Sequence, residues 1–288
     1  MLTLGALTFG KQKILHAMRV DPWKITMLTN EIGIFTEKGG TIAFHFSKDG
    51  ITVIDAQFPD TAPHLIAELK KRKDEPFRLL INTHHHGDHT SGNIAFKSVT
   101  DRVLAHENSL VNQKRVAIAN KNEDKQYYPN QTFGKEWNED IGKEKVGLYY
   151  YGAAHTNGDA VIHFKHANIV HVGDLVFNRR HPFVDRSAGA NMQSWIKVLD
   201  ATLKKFDNKT LFVCGHSGDN YDVTGSKDML LSFQDYLGNV LKLVEDEIKA
   251  GKSKDEILKA TEIPGSPEWK GDGIERPLTA AYEELTSV

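Results

Sequence analysis

One stretch limits this chain more than any other: Thr83-His84-His85-His86-Gly87-Asp88-His89-Thr90-Ser91-Gly92. Four histidines and an aspartate fall within six residues, directly after the apolar run Phe77-Arg78-Leu79-Leu80-Ile81-Asn82, which reads as a buried strand. Gly87 and Gly92 mark a sharp turn away from it. A strand that ends in a turn displays side chains at the edge of a sheet. Alternation puts His84 and His86 on one face and His85 on the other. His84 and His86 can therefore grip one metal ion, and Asp88 and His89, beyond the turn, a second. Neutral imidazole suits zinc, iron and nickel, and an added carboxylate favours a Lewis-acidic catalytic site over a closed structural one. The bland alternative is a surface histidine patch, but such a patch does not normally follow an apolar strand.

The rest of the chain must supply a scaffold, and 288 residues of which 40% are hydrophobic can bury a large core, as one large domain or two small ones. A formal net charge of −2 gives no global basic field for nucleic acid. The single cysteine, Cys214, excludes a disulfide framework and a cysteine-based zinc finger, and it reads as a small core residue. No run has the apolar length of a transmembrane helix, so no membrane role is expected. The apolar start, Met1 to Gly10, reads as an ordinary N-terminal segment or as the tail of an export signal in a longer precursor. Localisation, cytoplasmic or exported, stays open.

Along the chain, Ile25 to Thr36 reads as a strand, and Glu37-Lys38-Gly39-Gly40 as a turn into a second strand with Thr41, Ile42, Phe44 and Phe46. An Asp49-Gly50 turn leads into Ile51 to Ile54, which Asp55 ends. Thr61 to Lys73 reads as a helix with a basic C-terminal end. After the histidine run, Thr90 to Phe96 starts a helix, Val103 to His106 is a short strand and Leu110 to Ala119 is helical. His106, His163, His166 and His171 read as structural histidines. Val146 to Tyr151 is a strand leading into a small-residue turn that carries His155 and Asp159. Ala160 to Phe164 and Ile169 to Val172 pair, and Gly173-Asp174 ends the second. A long loop, Leu175 to Met192, would line a pocket and offer Arg179, Arg180, His181 and Arg186 to an anion. Ser194 is the expected N-cap of an amphipathic helix to Phe206. Leu211 to Cys214 is a strand followed by Gly215-His216-Ser217-Gly218. Residues 226–250, Ser253 to Ala260 and Leu278 to Leu285 read as helices.

His-x-His-x-Asp-His after a strand resembles the metal motif of the metallo-β-lactamase superfamily, and His155, Asp174 and His216 follow it in that family's order. The resemblance spans Ile25 to Ser217. It implies an α/β fold, the αββα four-layer sandwich, with residues 1–24 as an N-terminal extension, 25–225 as the metal-binding domain and 226–288 as a helical segment packed on it or forming a homodimer contact. It implies two zinc ions per chain, with iron or manganese as alternatives: His84, His86 and His155 on one, Asp88, His89 and His216 on the other, and Asp174 bridging. The glycine turn at Gly39-Gly40 would fold over the site as a flap, or be a plain hairpin turn. Asp55 would stand behind the ligands or be an ordinary strand-end carboxylate. The implied chemistry is hydrolysis of a small molecule, by a hydroxide held between the ions attacking an ester, lactone, thioester or amide-type carbonyl, with Asp88 moving a proton. The pattern is similar to glyoxalase II and lactonases. True β-lactamases carry cysteine or serine where Asp174 stands, and Leu175, Val176 and Phe177 follow instead of a lysine or serine that would hold a β-lactam carboxylate. β-Lactamase activity and a mononuclear iron persulfide dioxygenase are the alternatives.

Overall fold

The computed structural model describes residues 22–287. The expected N-terminal extension and export segment lie mostly or wholly outside them. The first half runs β1 (Lys24–Met27), β2 (Ile32–Thr36), β3 (Ile42–Ser47), β4 (Gly50–Ile54), α1 (Ala62–Arg72), β5 (Phe77–Ile81), the single turns α2 (Gly87–Thr90) and α3 (Asn93–Phe96), β6 (Val103–His106), α4 (Glu107–Asn120) and β7 (Gln131–Phe133). The second half runs β8 (Glu136–Ile141), β9 (Glu144–Tyr149), β10 (Val161–Phe164), β11 (Ile169–Asn178), α5 (Met192–Lys205), β12 (Leu211–Ser217), β13 (Thr224–Gly225), α6 (Lys227–Lys249), α7 (Lys254–Ile257) and α8 (Glu275–Thr286).

Strands β1 to β7 form one sheet in sequence order, and the second sheet runs β13-β12-β11-β10-β9-β8. Side-chain alternation along the strands divides the apolar residues between faces. Leu79, Ile81 and Leu104 pack between the sheets with Leu148, Ile162, Phe164 and Val213. Their neighbours Leu80 and Val103 point the other way, onto Leu65 and Leu69 of α1 and Phe96 of α3. On the outer face of the second sheet, Val170, Val172 and Phe212 meet Trp195 of α5, Phe233 and Leu237 of α6 and Leu278 of α8. Three apolar layers between four structural layers make an αββα sandwich, the fold class expected. Among the described residues no helix is long and apolar enough to cross a membrane.

Several local expectations are corrected. The strand expected over 25–36 is two strands, because Thr29 Oγ1 accepts the N–H groups of Glu31 and Ile32 at 3.1 and 2.9 Å and turns the chain there. Asp174 does not end its strand: β11 continues to Asn178, with its register against β12 shifted between Gly173 and Phe177. The pocket loop is accordingly shorter than 175–192. Asn191, not Ser194, caps α5, its side chain accepting the Ser194 N–H at 2.7 Å. The helix expected over 253–260 is α only at Lys254–Ile257, and that expected over 90–96 is broken into α2 and α3. His106 is structural as expected: it caps α4 by accepting the Asn108 N–H at 3.2 Å.

Candidate metal centre

The geometry gathers every expected ligand at one end of the sandwich. β5 delivers His84, His86, Asp88 and His89 from the first sheet; the loop after β9, the kink of β11 and the end of β12 deliver His155, Asp174 and His216 from the second. They form two groups whose donor atoms lie within 4.8 Å of one another: His84, His86, His155 and Asp174, and Asp88, His89 and His216. Asp174 links them. Its Oδ2 is 3.8 Å from His84 Nε2, 3.8 Å from His155 Nε2 and 3.5 Å from His216 Nε2, and its Oδ1 is 3.1 Å from His89 Nε2. Asp88 Oδ2 stands 3.0 Å from His216 Nε2 and 3.7 Å from His89 Nε2. Two glycines let the walls close in: a side chain at Gly40 would collide with the His89 ring, and one at Gly215 with the Asp174 carboxylate. The Gly39-Gly40 turn is therefore packed beside the second group, with the Gly40 N–H donating to Asp88 O at 3.1 Å.

The far nitrogen of each ring decides which nitrogen faces the centre. Asp55 is buried and accepts from His89 Nδ1 at 2.7 Å, and from the Thr83 N–H and hydroxyl, both at 2.8 Å. With its hydrogen committed to Asp55, the Thr83 hydroxyl is left to accept from His84 Nδ1, at 3.0 Å. Asp159 Oδ1 stands 3.4 Å from His155 Nδ1. All three rings thus turn Nε2 inward. His86 is reversed: its Nε2 donates to Asp185 Oδ2 at 3.0 Å, and its Nδ1 lies 3.1 Å from His84 Nε2.

Burial alone would raise both carboxyls, but the histidine charges outweigh it: Asp174 is held well below the usual carboxylate range, chiefly by His216 and His89, and Asp88 is brought to about 2, chiefly by His89. Burial opposes charge on His89 and His216, yet Asp174 above all pulls His89 well above its ordinary value and His216 up to about 9. Burial lowers His84 strongly and His86 to about 4. His155 Nε2 and Asp174 Oδ1 are also buried without a hydrogen-bond partner among the described residues, the 3.1 Å approach of Asp174 to His89 being off-angle. Unpartnered ligand atoms, imidazole and carboxylate in kind, fit borderline divalent ions.

A cleft of about 330 Å³ opens onto both groups, and its other walls include Phe177, Phe183, Arg180, His181 and Arg276. Of the loop residues expected to meet an anion, Arg180 and His181 do line it. Arg179 instead stacks on Trp269 at 4.5 Å, and Arg186 pairs with Glu284 at 3.5 Å. The sequence reading missed Asp159, Asp185 and Arg276. Asp159 had a local signal, four residues after His155 and tied to the Thr156 N–H at 2.7 Å. Asp185 and Arg276 had none, because only the tertiary fold brings them in.

The description of the metallo-beta-lactamase superfamily matches residues 42–216. The chain is 25% identical over 224 residues to a metallo-beta-lactamase type 2 of Bacillus cereus, covering 74% of this chain and 82% of that one. It is 22% identical over 211 residues to one of Elizabethkingia meningoseptica, covering 69% and 78%. Among solved structures, a metallo-beta-lactamase from Pontibacter korlensis superimposes with a TM-score of 0.64 at 20% identity, covering 75% of this chain and 99% of that one. The sec-alkylsulfatase Pisa1 from Pseudomonas sp. gives 0.72 at 12% identity, with 91% of this chain and 50% of that one, a likeness of fold.

Proposed function

This chain belongs to the metallo-beta-lactamase superfamily, and on that premise we propose that it is a dinuclear zinc hydrolase that opens an ester, lactone, thioester or amide-type carbonyl in a small anionic substrate. His84, His86 and His155 would hold one ion, Asp88, His89 and His216 the other, and Asp174 would reach both. When bound, two such ions supply Lewis acidity, which makes water nucleophilic near neutral pH and polarises the oxygen under attack. The chain's own groups do the rest. Asp88 is the cleft-facing carboxylate, its side chain 29% exposed against 4% for Asp174, and is placed to take a proton from the nucleophile and pass it to the leaving group. Phe177 and Phe183 give the cleft apolar walls, and Arg180 and Arg276 give it cationic ones.

The reach of the single carboxylate of Asp174 to histidines of both groups carries this reading. Asp174→Ala should lose most turnover and at least part of the metal. Full turnover with two ions bound would overturn the bridging role. A mononuclear iron dioxygenase has less support, since it leaves the second group without a task. A β-lactam substrate is the second reading. The named relatives favour it, and Arg180 and Arg276 offer a carboxylate anchor that residues 175–177 do not. Ring opening of a chromogenic cephalosporin by zinc-loaded protein, lost in Asp174→Ala, would support it; no opening would leave lactones, esters and thioesters as the panel to assay.

A further inference from the structure

His85 is the histidine of the run that neither group uses. Its side chain is 1% exposed, and both ring nitrogens are buried without a hydrogen-bond partner among the described residues. An imidazole sealed off in this way bears the desolvation cost of each unmet group. Native proteins rarely leave such a group without a water or an ion to meet it. The neighbour that stands ready is Asp185. Its Oδ1 is committed, accepting the Ser187 hydroxyl at 2.6 Å and the Ala188 N–H at 3.1 Å. That fixes Oδ2, which lies 3.3 Å from His85 Nε2 and 3.0 Å from His86 Nε2.

These are coordination spacings. Around a tetrahedral ion with bonds of about 2.0–2.1 Å, donor atoms stand about 3.3 Å apart. Donor atoms of His85, His86 and Asp185 lie within 4.8 Å of one another, as those of the two groups in the cleft do. The approach of His85 to Asp185 is close enough for an ion pair but lacks hydrogen-bond geometry, so a direct bond does not account for the pair.

We propose that His85, His86 and Asp185 form a third cation site, suited to a borderline divalent ion such as zinc, that fills at excess metal and inhibits the enzyme. Two imidazoles and one carboxylate suit zinc and leave a position for water. Coordination through His86 Nε2 replaces the proton that this atom shares with Asp185, and the proton leaves to buffer. The same ring then bridges two ions as an imidazolate, a stronger donor than neutral imidazole, which lowers the Lewis acidity of the ion in the first group. The inhibition rests on the proposed role of His86 in that group; occupancy of the third site does not.

Zinc binding is measured by equilibrium dialysis against rising zinc chloride, on wild type, His85→Leu and Asp185→Asn, with turnover followed in parallel. His85→Leu keeps a similar apolar volume, and Asp185→Asn keeps an acceptor oxygen for His86. Wild type should bind one equivalent more than either variant, weaker than the others, and turnover should fall as that equivalent binds. Equal saturation in wild type and both variants overturns the third site. The count in His85→Leu reads the first two groups on its own: a value below two sinks the dinuclear reading, whatever the difference between wild type and variant.

Discussion

Asp55 sits at φ +67° with no exposed surface, where its two carboxylate oxygens accept from Thr83 and His89. Asn tolerates that backbone region, so Asp55→Asn changes the charge and one acceptor without straining the chain. The new amide must point an N–H at a group that is itself a donor. The expected result is a 10–100-fold loss of affinity for the ion at Asp88, His89 and His216, with about 2–3 kcal/mol of stability lost. Chelator competition and urea unfolding read the two effects. Unchanged metal affinity would reduce Asp55 to an ordinary strand-end carboxylate. At this scale the sequence was informative, since the seven expected ligands all converge, because a turn after an apolar strand must put its side chains at the sheet edge. It was silent on what orients them. Asp185 stands 99 residues from His86, and no local pattern links the two.

At the scale of elements, the sequence hid β8 as well as the short strands β7 and β13, and β8 is the longest of the three. Glu136-Trp-Asn-Glu-Asp-Ile141 leaves its outward residues exposed, as an edge strand does, and so lacks an apolar run. That edge carries a clasp between the sheets. Arg102 grips Glu139 through two nitrogens, at 2.9 and 2.7 Å, and Arg78 of β5 donates to it at 2.5 Å. The Arg102 hydrogen bonds above all, helped by Arg78, outweigh the opposing effect of burial and bring the Glu139 carboxyl from 4.5 to about 2. A depressed carboxylate contributes stability that is complete above its unfolded value and is lost as pH falls toward the folded one. The window here is pH 4.5 to about 2. Glu139→Gln should cost about 1 kcal/mol at neutral pH, allowing for solvent screening, and should flatten the acid limb of the stability curve. A wild-type acid limb retained in Glu139→Gln would show that other carboxylates set it.

The whole molecule carries the proposed ligands on both sheets, so a bound metal would be a cross-link as well as a reagent. His84, His86, Asp88 and His89 follow β5, while His155, Asp174 and His216 belong to the second sheet. The ions would tie segments as far apart as His84 and His216, over the open edge of the sandwich where the apolar interior ends. An ion that binds only the folded chain stabilises it by about 2.7 kcal/mol at a hundredfold excess over its dissociation constant. For a protein of this size each kcal/mol moves the midpoint by roughly 2–4 °C. Stripping the metal with a chelator should therefore lower Tm by roughly 5–10 °C for each ion removed, and returning zinc should restore it. In Asp174→Ala the chelator shift should shrink, since one carboxylate serves both groups. A protein that loses its metal to chelator with Tm unmoved would place the ions on a centre already rigid without them. The seal would then belong to the histidine and carboxylate hydrogen bonds alone, with Asp55, Asp159 and Asp185 as its struts.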